Sequence, residues 1–500
     1  MREEFEKKYG NRFTTRLDEH FAKRNIRGIK DCIREAEKEV PLEANPIFRM
    51  QFYYDIALAY ADIRTLEPSD SHLEKEILNY RKAIDIYEME IALIEEEATV
   101  QEDYSLAQWI AMRCYCNLGN TLCETNRYIA AIDSYFAAIC ISDTFSMASL
   151  NLSAALFQFS IFQITPEAEQ YFTHAAYHYF KLAEQYQANL EEPGGLVGLD
   201  CVRQHWVKRA IDKYGVRFLN EELQGFGERD YSEKEYDYRS WLSGLRLFLN
   251  VESEIFRSPD FWGDYITLPD NADSTFYHEY TGLFNQIKQE YITARYLWYI
   301  SSELQKPEEG CYLDKERNLK GITSNDVFGI RESLLRQSLK MAASTFDRIG
   351  FFLNWYFSVG LRGDKIGFKQ IWWDIIRRGK SNIPNPMKEY RANNPFLEAL
   401  FWLQKDFVED NEVSLTSDAA NRIVKMRNNM EHNCLRTVKR MPEKDSRIKF
   451  TVYTTEEQIE QNVFNTLKLL REAILYLVLA VNIKIVQNQE NGSSPQTLKF

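Results

Sequence analysis

The segment from Tyr115 to Ile139 sets large and small residues at helical spacing, and it restricts the possible folds more than any other stretch. It reads YCNLGNTLCETNRYIAAIDSYFAAI. Apolar residues recur every three or four positions, which predicts two helices. The small residues Gly119 and Ala131 predict that these helices cross closely as an antiparallel hairpin. The same spacing continues along most of the chain, and period-two alternation is rare. We therefore expect an all-α fold.

The hairpin pattern resembles a tetratricopeptide repeat. Upstream, the residues from Tyr80 to Tyr87 repeat the spacing of its second helix. Downstream, Met147 to Phe162 and Pro166 to Gln187 form a further expected hairpin, with Pro166 at a helix start. Such hairpins stack so that each buries its neighbour's apolar face. The resemblance implies a tetratricopeptide-like helical repeat domain over residues 1–190.

The remainder of the chain is predicted to form a connecting region and a helical bundle. The segment NLEEPGGLVGLD, from Asn189 to Asp200, breaks the helical pattern and is typical of a linker. Several long apolar-periodic segments then follow, as in a helix bundle. The expected domains are a connecting region at 191–273, a bundle at 274–490 and a tail at 491–500, with bundle helices near 326–360, 395–410, 416–438 and 455–487.

Charge, cysteine content and hydropathy exclude several classes of protein. The net charge of −13 argues against a chain coated in nucleic acid, but it permits a local basic site. The eight cysteines contain no CxxC pair, so we expect buried free thiols in a reducing compartment. The N-terminus lacks the apolar core of a secretion signal. The most apolar run, AILYLVLAV, is far shorter than the roughly 20 residues that a membrane span needs. We expect a cytoplasmic protein without membrane association.

The common nucleotide-binding and hydrolase motifs are missing from the sequence. There is no GxxxxGK[ST], GxGxxG after a strand, HExxH or GxSxG. His174 and His178 have the spacing of a metal-binding pair on one helix face, but no third ligand lies nearby in sequence. We interpret them as packing or surface residues. No metal and no cofactor are expected.

One segment, RNNMEH at 427–432, combines residue types that suit RNA cleavage. On a helix Asn428 and His432 share a face, and the long side chain of Arg427 can reach the same side. An imidazole can move the proton of a ribose hydroxyl or of the leaving oxygen, and a guanidinium can stabilise the phosphorane. Nine basic and three acidic residues lie between Asn421 and Phe450, which suits phosphate binding. Spacing and charge alone leave a solvated helix face as an equal alternative.

An RNxxxH motif on the third helix of an apolar four-helix bundle resembles the HEPN superfamily (higher eukaryotes and prokaryotes nucleotide-binding). The neighbouring segments are similar to a large bacterial HEPN branch with tetratricopeptide-like N-termini; they are YRSWLSGLRLFLN, FNQIKQEYITARYLWY, FDRIGFFLNWYFSVG and NPFLEALFWLQKDF. Catalytic members of this superfamily are metal-independent ribonucleases. The resemblance therefore implies an RNA endonuclease that acts by 2′-hydroxyl attack.

The resemblance also assigns roles to individual residues. Arg427 and His432 would be the catalytic pair, and Asn428 matches the polar residue that commonly follows the arginine. HEPN enzymes often carry an acidic–basic pair on the first bundle helix, which ESLLR supplies as Glu332 and Arg336. Glu290 and Arg295 are one residue too far apart for that pattern. The other predicted site residues are Glu431 in support, and Lys425, Arg436, Lys439 and Arg440 as RNA contacts.

HEPN active sites are composite clefts between two bundles, so the resemblance implies a homodimer. The apolar segment from Ala473 to Val481 could face such a partner or the repeat domain, or it could be buried within one chain. We expect an antiviral defence or toxin role, with the repeat domain sensing a trigger, gating the nuclease or binding a protein or peptide. The alternative is a non-catalytic scaffold that binds a nucleotide or a protein partner.

Overall fold

The part of the chain that the computed structural model describes is almost entirely helical, which confirms the predicted all-α class. This part forms two compact units that divide near residue 223, and each is described by itself. None of its helices combines the length and the hydropathy of a membrane span. The described residues are 13–39, 45–91, 101–190, 194–221, 230–255, 262–270, 276–304, 323–363, 366–373, 385–406, 434–442 and 451–490.

The first unit is a succession of helices, consistent with the predicted repeats. Helices α3 and α4, α5 and α6, and α7 and α8 pack as hairpins. Pro166 is the first residue of α8, as predicted, and the Thr165 side chain caps that helix by accepting from Ala168 N. The helices are α1 (13–22), α2 (Ile26–Glu39), α3 (Pro46–Leu66), α4 (Asp70–Ile86), α5 (Gln101–Glu124), α6 (Tyr128–Ile141), α7 (Ser146–Ser160), α8 (Pro166–Gln185), α9 (Gly194–Val202), α10 (Lys208–Tyr214) and α11 (Val216–Asn220).

The close crossing predicted between α5 and α6 is present. A Cβ atom placed on Gly119 would lie 2.5 Å from the ring of Tyr135, so only glycine fits there without a shift of the ring. Ala131 and Tyr135 are both buried. The Tyr135 hydroxyl donates to Asn120 Oδ1 at 2.8 Å, which satisfies its polar end. The absence of a side chain at Gly119 thus leaves room for the Tyr135 ring in the hairpin.

The second unit is the helical bundle. Helices α13 and α14 pack along each other, both contact α17, and α16 packs against α17. Three of the predicted bundle helices, near 326–360, 395–410 and 455–487, correspond to α14, α16 and α17. The helices of this unit are α12 (Glu233–Leu245), α13 (Tyr277–Glu303), α14 (Ile330–Tyr356), α15 (Met387–Asn393), α16 (Pro395–Lys405) and α17 (Glu456–Glu490).

The centre of α17 is buried on every side. Each residue from Ala473 to Val481 is at most 2% exposed. A helix that is apolar all round is stable only when it is surrounded by other apolar groups. Of the three possibilities left open for this segment, the structure therefore shows burial within one chain.

The predicted bundle helix at 416–438 is wrong at its C-terminal end. Residues Cys434–Thr437 form strand β1, which pairs in parallel with strand β2 at Thr451–Thr454. Val438 continues from β1 and forms an isolated antiparallel bridge with Asp326. Threonine, valine and tyrosine suit strands better than helices, and pairing with β2 outweighs the helical spacing seen upstream.

The seven cysteines within the described ranges are all free thiols, as expected. Cys32, Cys114 and Cys116 are buried. Cys140, Cys201 and Cys434 are exposed, so the expectation of burial is wrong for these three. Within the described part of the chain, no group of three or more His, Cys, Asp or Glu side chains has the arrangement of a metal site.

Candidate functional site

The residues of the RNNMEH segment lie outside the described part of the chain. This applies to five predicted site residues: Lys425, Arg427, Asn428, Glu431 and His432. The described chain resumes at Cys434, two residues after His432. The site is therefore built here from the other predicted members, Glu332, Arg336, Arg436, Lys439 and Arg440.

Glu332 and Arg336 lie one turn apart at the start of α14 and form an ion pair. An acidic residue in the first turn is favoured by the helix dipole. Glu332 is only 4% exposed, and its carboxylate is not available to solvent. Arg336 is partly exposed. The pair is therefore part of the packed structure, and only Arg336 is accessible to solvent.

Both members of the pair hold strand β1. The hydroxyl of Thr437 donates to Glu332 Oε1 at 2.6 Å and accepts from Arg336 Nη2 at 2.8 Å. Arg336 Nη2 also donates to the Leu435 carbonyl at 2.9 Å. Because Leu435 and Thr437 are two positions apart on a strand, they share one face. Two side chains at the start of α14 thus hold β1 through three hydrogen bonds.

Burial raises the pKa of Glu332. The Thr437 hydroxyl and the Arg336 guanidinium oppose this shift by favouring the carboxylate, while the neighbouring charge of Glu456 adds to it. Desolvation disfavours the charged form of a carboxyl group, and hydrogen-bond donors stabilise it. Because the pKa of Glu332 is raised overall, the effect of burial is larger than the effect of these hydrogen-bond donors.

Arg436 lies on the opposite face of β1 and forms an ion pair with Asp326. Its Nε is 2.6 Å from Asp326 Oδ1, and its Nη2 donates to Oδ2 at 2.7 Å. Burial acts to raise the pKa of Asp326, but the Thr323 backbone N–H, the Arg436 guanidinium and the Thr323 hydroxyl together lower it. Such a two-pronged pair fixes the planar guanidinium. Arg436 therefore fastens β1 to the segment before α14.

Lys439 and Arg440 are exposed, and their backbone is held in place by Asn325. The Arg440 N–H donates to Asn325 Oδ1 at 3.0 Å, and Asn325 Nδ2 donates to the Arg440 carbonyl at 2.8 Å. The Lys439 N–H donates to the Asn325 carbonyl at 2.8 Å. Within the described residues neither side chain forms an ion pair. We name Lys439 and Arg440 the basic corner.

Other residues considered from the sequence are occupied elsewhere. Glu290 does not pair with Arg295: Arg348 Nε donates to Glu290 at 2.7 Å, whereas buried Arg295 pairs with Asp264. The Nε2 atom of His174 is 2.6 Å from the Glu221 carbonyl oxygen, a contact consistent with packing.

Sequence reasoning missed three residues that hold the site together: Thr437, Asp326 and Asn325. Their side chains contact residues that are about 100 positions away in the chain, so no local spacing reveals them. The short β-branched runs CLRTV and TVYTT are the only pattern that could have indicated strands here.

The C-terminal part of the chain contains a HEPN-superfamily domain, as its match to a family model shows. Residues 272–484 match the family model described as LA2681-like HEPN. The match spans α13 to α16, both strands and most of α17. No curated protein and no solved structure matches the chain.

Proposed function

We propose that this protein is a metal-independent endoribonuclease of the HEPN type that cuts single-stranded or loop RNA. One observation carries the proposal: the Glu332–Arg336 pair of a HEPN domain holds β1, whose first residue follows His432 by two positions. Two residues span at most about 7 Å of chain. This short link supports a site that combines His432 with the pair.

In this mechanism the ribose 2′-hydroxyl attacks the adjacent phosphorus. His432 acts in proton transfer, either removing the 2′-hydroxyl proton or protonating the leaving 5′-oxygen. Arg427 stabilises the charge of the phosphorane, and Asn428 orients the imidazole or the phosphate. The bond from phosphorus to the 5′-oxygen breaks, which leaves a 2′,3′-cyclic phosphate and a 5′-hydroxyl. Glu431 supports this arrangement, and the reaction needs no metal.

The RNA backbone would be bound by Lys425 and by the basic corner. A cation binds phosphate best when no carboxylate of the same protein pairs with it. Among the predicted RNA contacts within the described residues, Lys439 and Arg440 are the cations without such an ion pair. Arg436 was predicted to contact RNA as well. Because Asp326 occupies its guanidinium fork, we propose for Arg436 a role in holding β1 beside the substrate.

We also propose that the enzyme acts as a homodimer with a role in antiviral defence or as a toxin, and that the helical repeats sense a trigger or a protein ligand. The buried centre of α17 has no free face for a partner. The dimer contact would therefore use another surface of the bundle. A composite cleft would bring two His432 side chains and two basic corners together.

Purified full-length protein tests the activity directly. Incubated with single-stranded RNA in EDTA, it should release fragments with 2′,3′-cyclic phosphate and 5′-hydroxyl ends. His432→Ala and Arg427→Ala should each abolish cutting without loss of helical content. His278→Ala, an exposed histidine on α13, is the matched control and should cut normally.

Equal cleavage by the His432→Ala variant would overturn the assignment. RNA or nucleotide binding without any turnover by the wild-type protein would instead support the alternative, a non-catalytic scaffold. Because cleavage in EDTA excludes a role for a dissociable divalent ion, the same assay also tests the metal-independent mechanism.

A further inference from the structure

Thr437 is completely buried between the two charged residues at the start of α14. Its hydroxyl both donates, to Glu332, and accepts, from Arg336. Its backbone is engaged as well, because its carbonyl accepts from Val327 N at 2.9 Å. A buried hydroxyl with both hydrogen-bonding roles filled by charged groups holds its strand in one position along its length.

A shift of β1 by one residue would break this arrangement. Since strand side chains alternate between faces, such a shift would turn Thr437 away from α14 and bring Arg436 or Val438 against Glu332. Val438 has no hydroxyl to offer, and Arg436 would lose its pair with Asp326. The Arg336 bond to the Leu435 carbonyl would also be lost. The polar contacts therefore select a single register.

We propose that Thr437 is a positioning residue of the nuclease site, which sets the point at which the chain bearing His432 joins the bundle. The inference rests on the proposed function. It also assigns the Glu332–Arg336 pair an action on β1. Glu332 is too deeply buried to touch RNA, and the Arg336 guanidinium pairs with Glu332 and donates from Nη2 to Leu435 and Thr437.

The structure offers a matched control for this idea. Thr454 is the partner of Thr437 in the register of β1 and β2, and it is also buried. Its hydroxyl contacts the Thr455 carbonyl and Gln458, and neither contact involves α14. Thr437→Val and Thr454→Val therefore make the same chemical change in neighbouring strands, but only the first removes a contact with the pair.

The test measures RNA cleavage under single-turnover conditions for four proteins: wild type, Thr437→Val, Thr437→Ser and Thr454→Val. Thr437→Val should lower the cleavage rate constant by about 10- to 100-fold, with little change in the RNA concentration that gives half-maximal rate. Thr437→Ser keeps the hydroxyl and should recover most of the rate. Thr454→Val should cut within a few-fold of wild type. Thr437→Val and Thr454→Val cutting at equal rates would overturn the proposal.

Hydrogen exchange separates failure of this inference from failure of the proposed function. Amides of residues 434–438 should exchange faster in Thr437→Val than in Thr437→Ser, whether or not the protein cuts RNA. If the wild type cuts and His432→Ala does not, but Thr437→Val behaves as wild type in both assays, only the positioning role is wrong. If the wild type cuts no RNA, the proposed function fails, and unchanged exchange in Thr437→Val would then also refute the register role.

Discussion

Arg471 on α17 forms a buried ion pair with Glu254, which lies 217 residues earlier in the chain. The same guanidinium donates to the Asn250 carbonyl at 2.8 Å and to the Ser253 hydroxyl at 2.9 Å. Arg471 is inside the range that matches the HEPN family, whereas its partners all precede residue 272. In this protein the bundle is therefore completed by a segment that lies outside the family match.

Replacing Arg471 should destabilise the second unit strongly. Arg471→Met leaves the Glu254 carboxylate buried without its counter-charge, which costs about 3–5 kcal/mol of unfolding free energy. The double variant Arg471→Met/Glu254→Gln removes the stranded charge and should recover part of the loss. Urea unfolding followed by circular dichroism measures both. A loss below about 1 kcal/mol for Arg471→Met would contradict a buried, coupled pair.

Two glycines in helices should respond in opposite directions to alanine. Gly119→Ala places a methyl group against the Tyr135 ring at the crossing of α5 and α6, and the forced repacking should cost about 1–3 kcal/mol. Gly282 lies in α13, and a Cβ there meets nothing within 4 Å. Gly282→Ala should stabilise its helix by about 0.5–1 kcal/mol. In thermal unfolding, a stabilised Gly119→Ala variant would contradict the close crossing, and a destabilised Gly282→Ala variant would contradict the open space at α13.

The crossing at Gly119 and strand β1 show which parts of the fold could be predicted from the sequence. The crossing at Gly119 was predictable because the small residue and its large partner belong to one local repeat. The strand at Cys434–Thr437 was not, because what stabilises it lies on β2 and on α14. Glu332 and Arg336 were singled out through the HEPN resemblance, and their i, i+4 spacing places them on neighbouring turns. Their hydrogen bonds to Thr437 were not predictable, because these depend on how α14 packs against β1.

Asp55 on α3 makes the stability of the first unit dependent on pH. Burial raises the pKa of this carboxyl from 3.8 to about 6, although Gln51 and Thr14 donate hydrogen bonds to it. Between about pH 4 and pH 6 the folded state therefore holds a proton that the unfolded state has lost. The contribution of Asp55 to the free energy of unfolding should fall as the pH rises through this window, by at most about 3 kcal/mol.

Asp55→Asn should remove the contribution of Asp55 to this dependence, while Asp62, whose pKa is also raised to about 6 by burial, keeps its own. The amide is neutral at every pH, and the Thr14 hydroxyl can rotate to accept from it. The variant should be about 1–2 kcal/mol more stable than wild type at pH 7.5, with the gain lost at pH 4. Asp212→Asn, an exposed carboxylate in the same unit, is the control and should change little at either pH. Urea unfolding at the two pH values measures the difference, and a gain that persists unchanged at pH 4 would contradict the buried carboxyl.

The basic corner should supply part of the affinity for RNA through ionic contacts alone. Lys439→Gln/Arg440→Gln removes two exposed cations and should weaken binding of single-stranded RNA uniformly across sequences. Each lost phosphate contact lowers the slope of log K against log salt by about 0.7, so the double variant should lose about 1.4. Fluorescence anisotropy with catalytically inactive His432→Ala protein measures both the affinity and the slope.

Lys340→Gln, an exposed cation further along α14, is the matched control and should leave the slope unchanged. Asn325→Ala, which releases the backbone of the corner but keeps its charges, should weaken binding by less than the double variant and keep most of the slope. An unchanged slope in Lys439→Gln/Arg440→Gln would mean that RNA does not contact this corner.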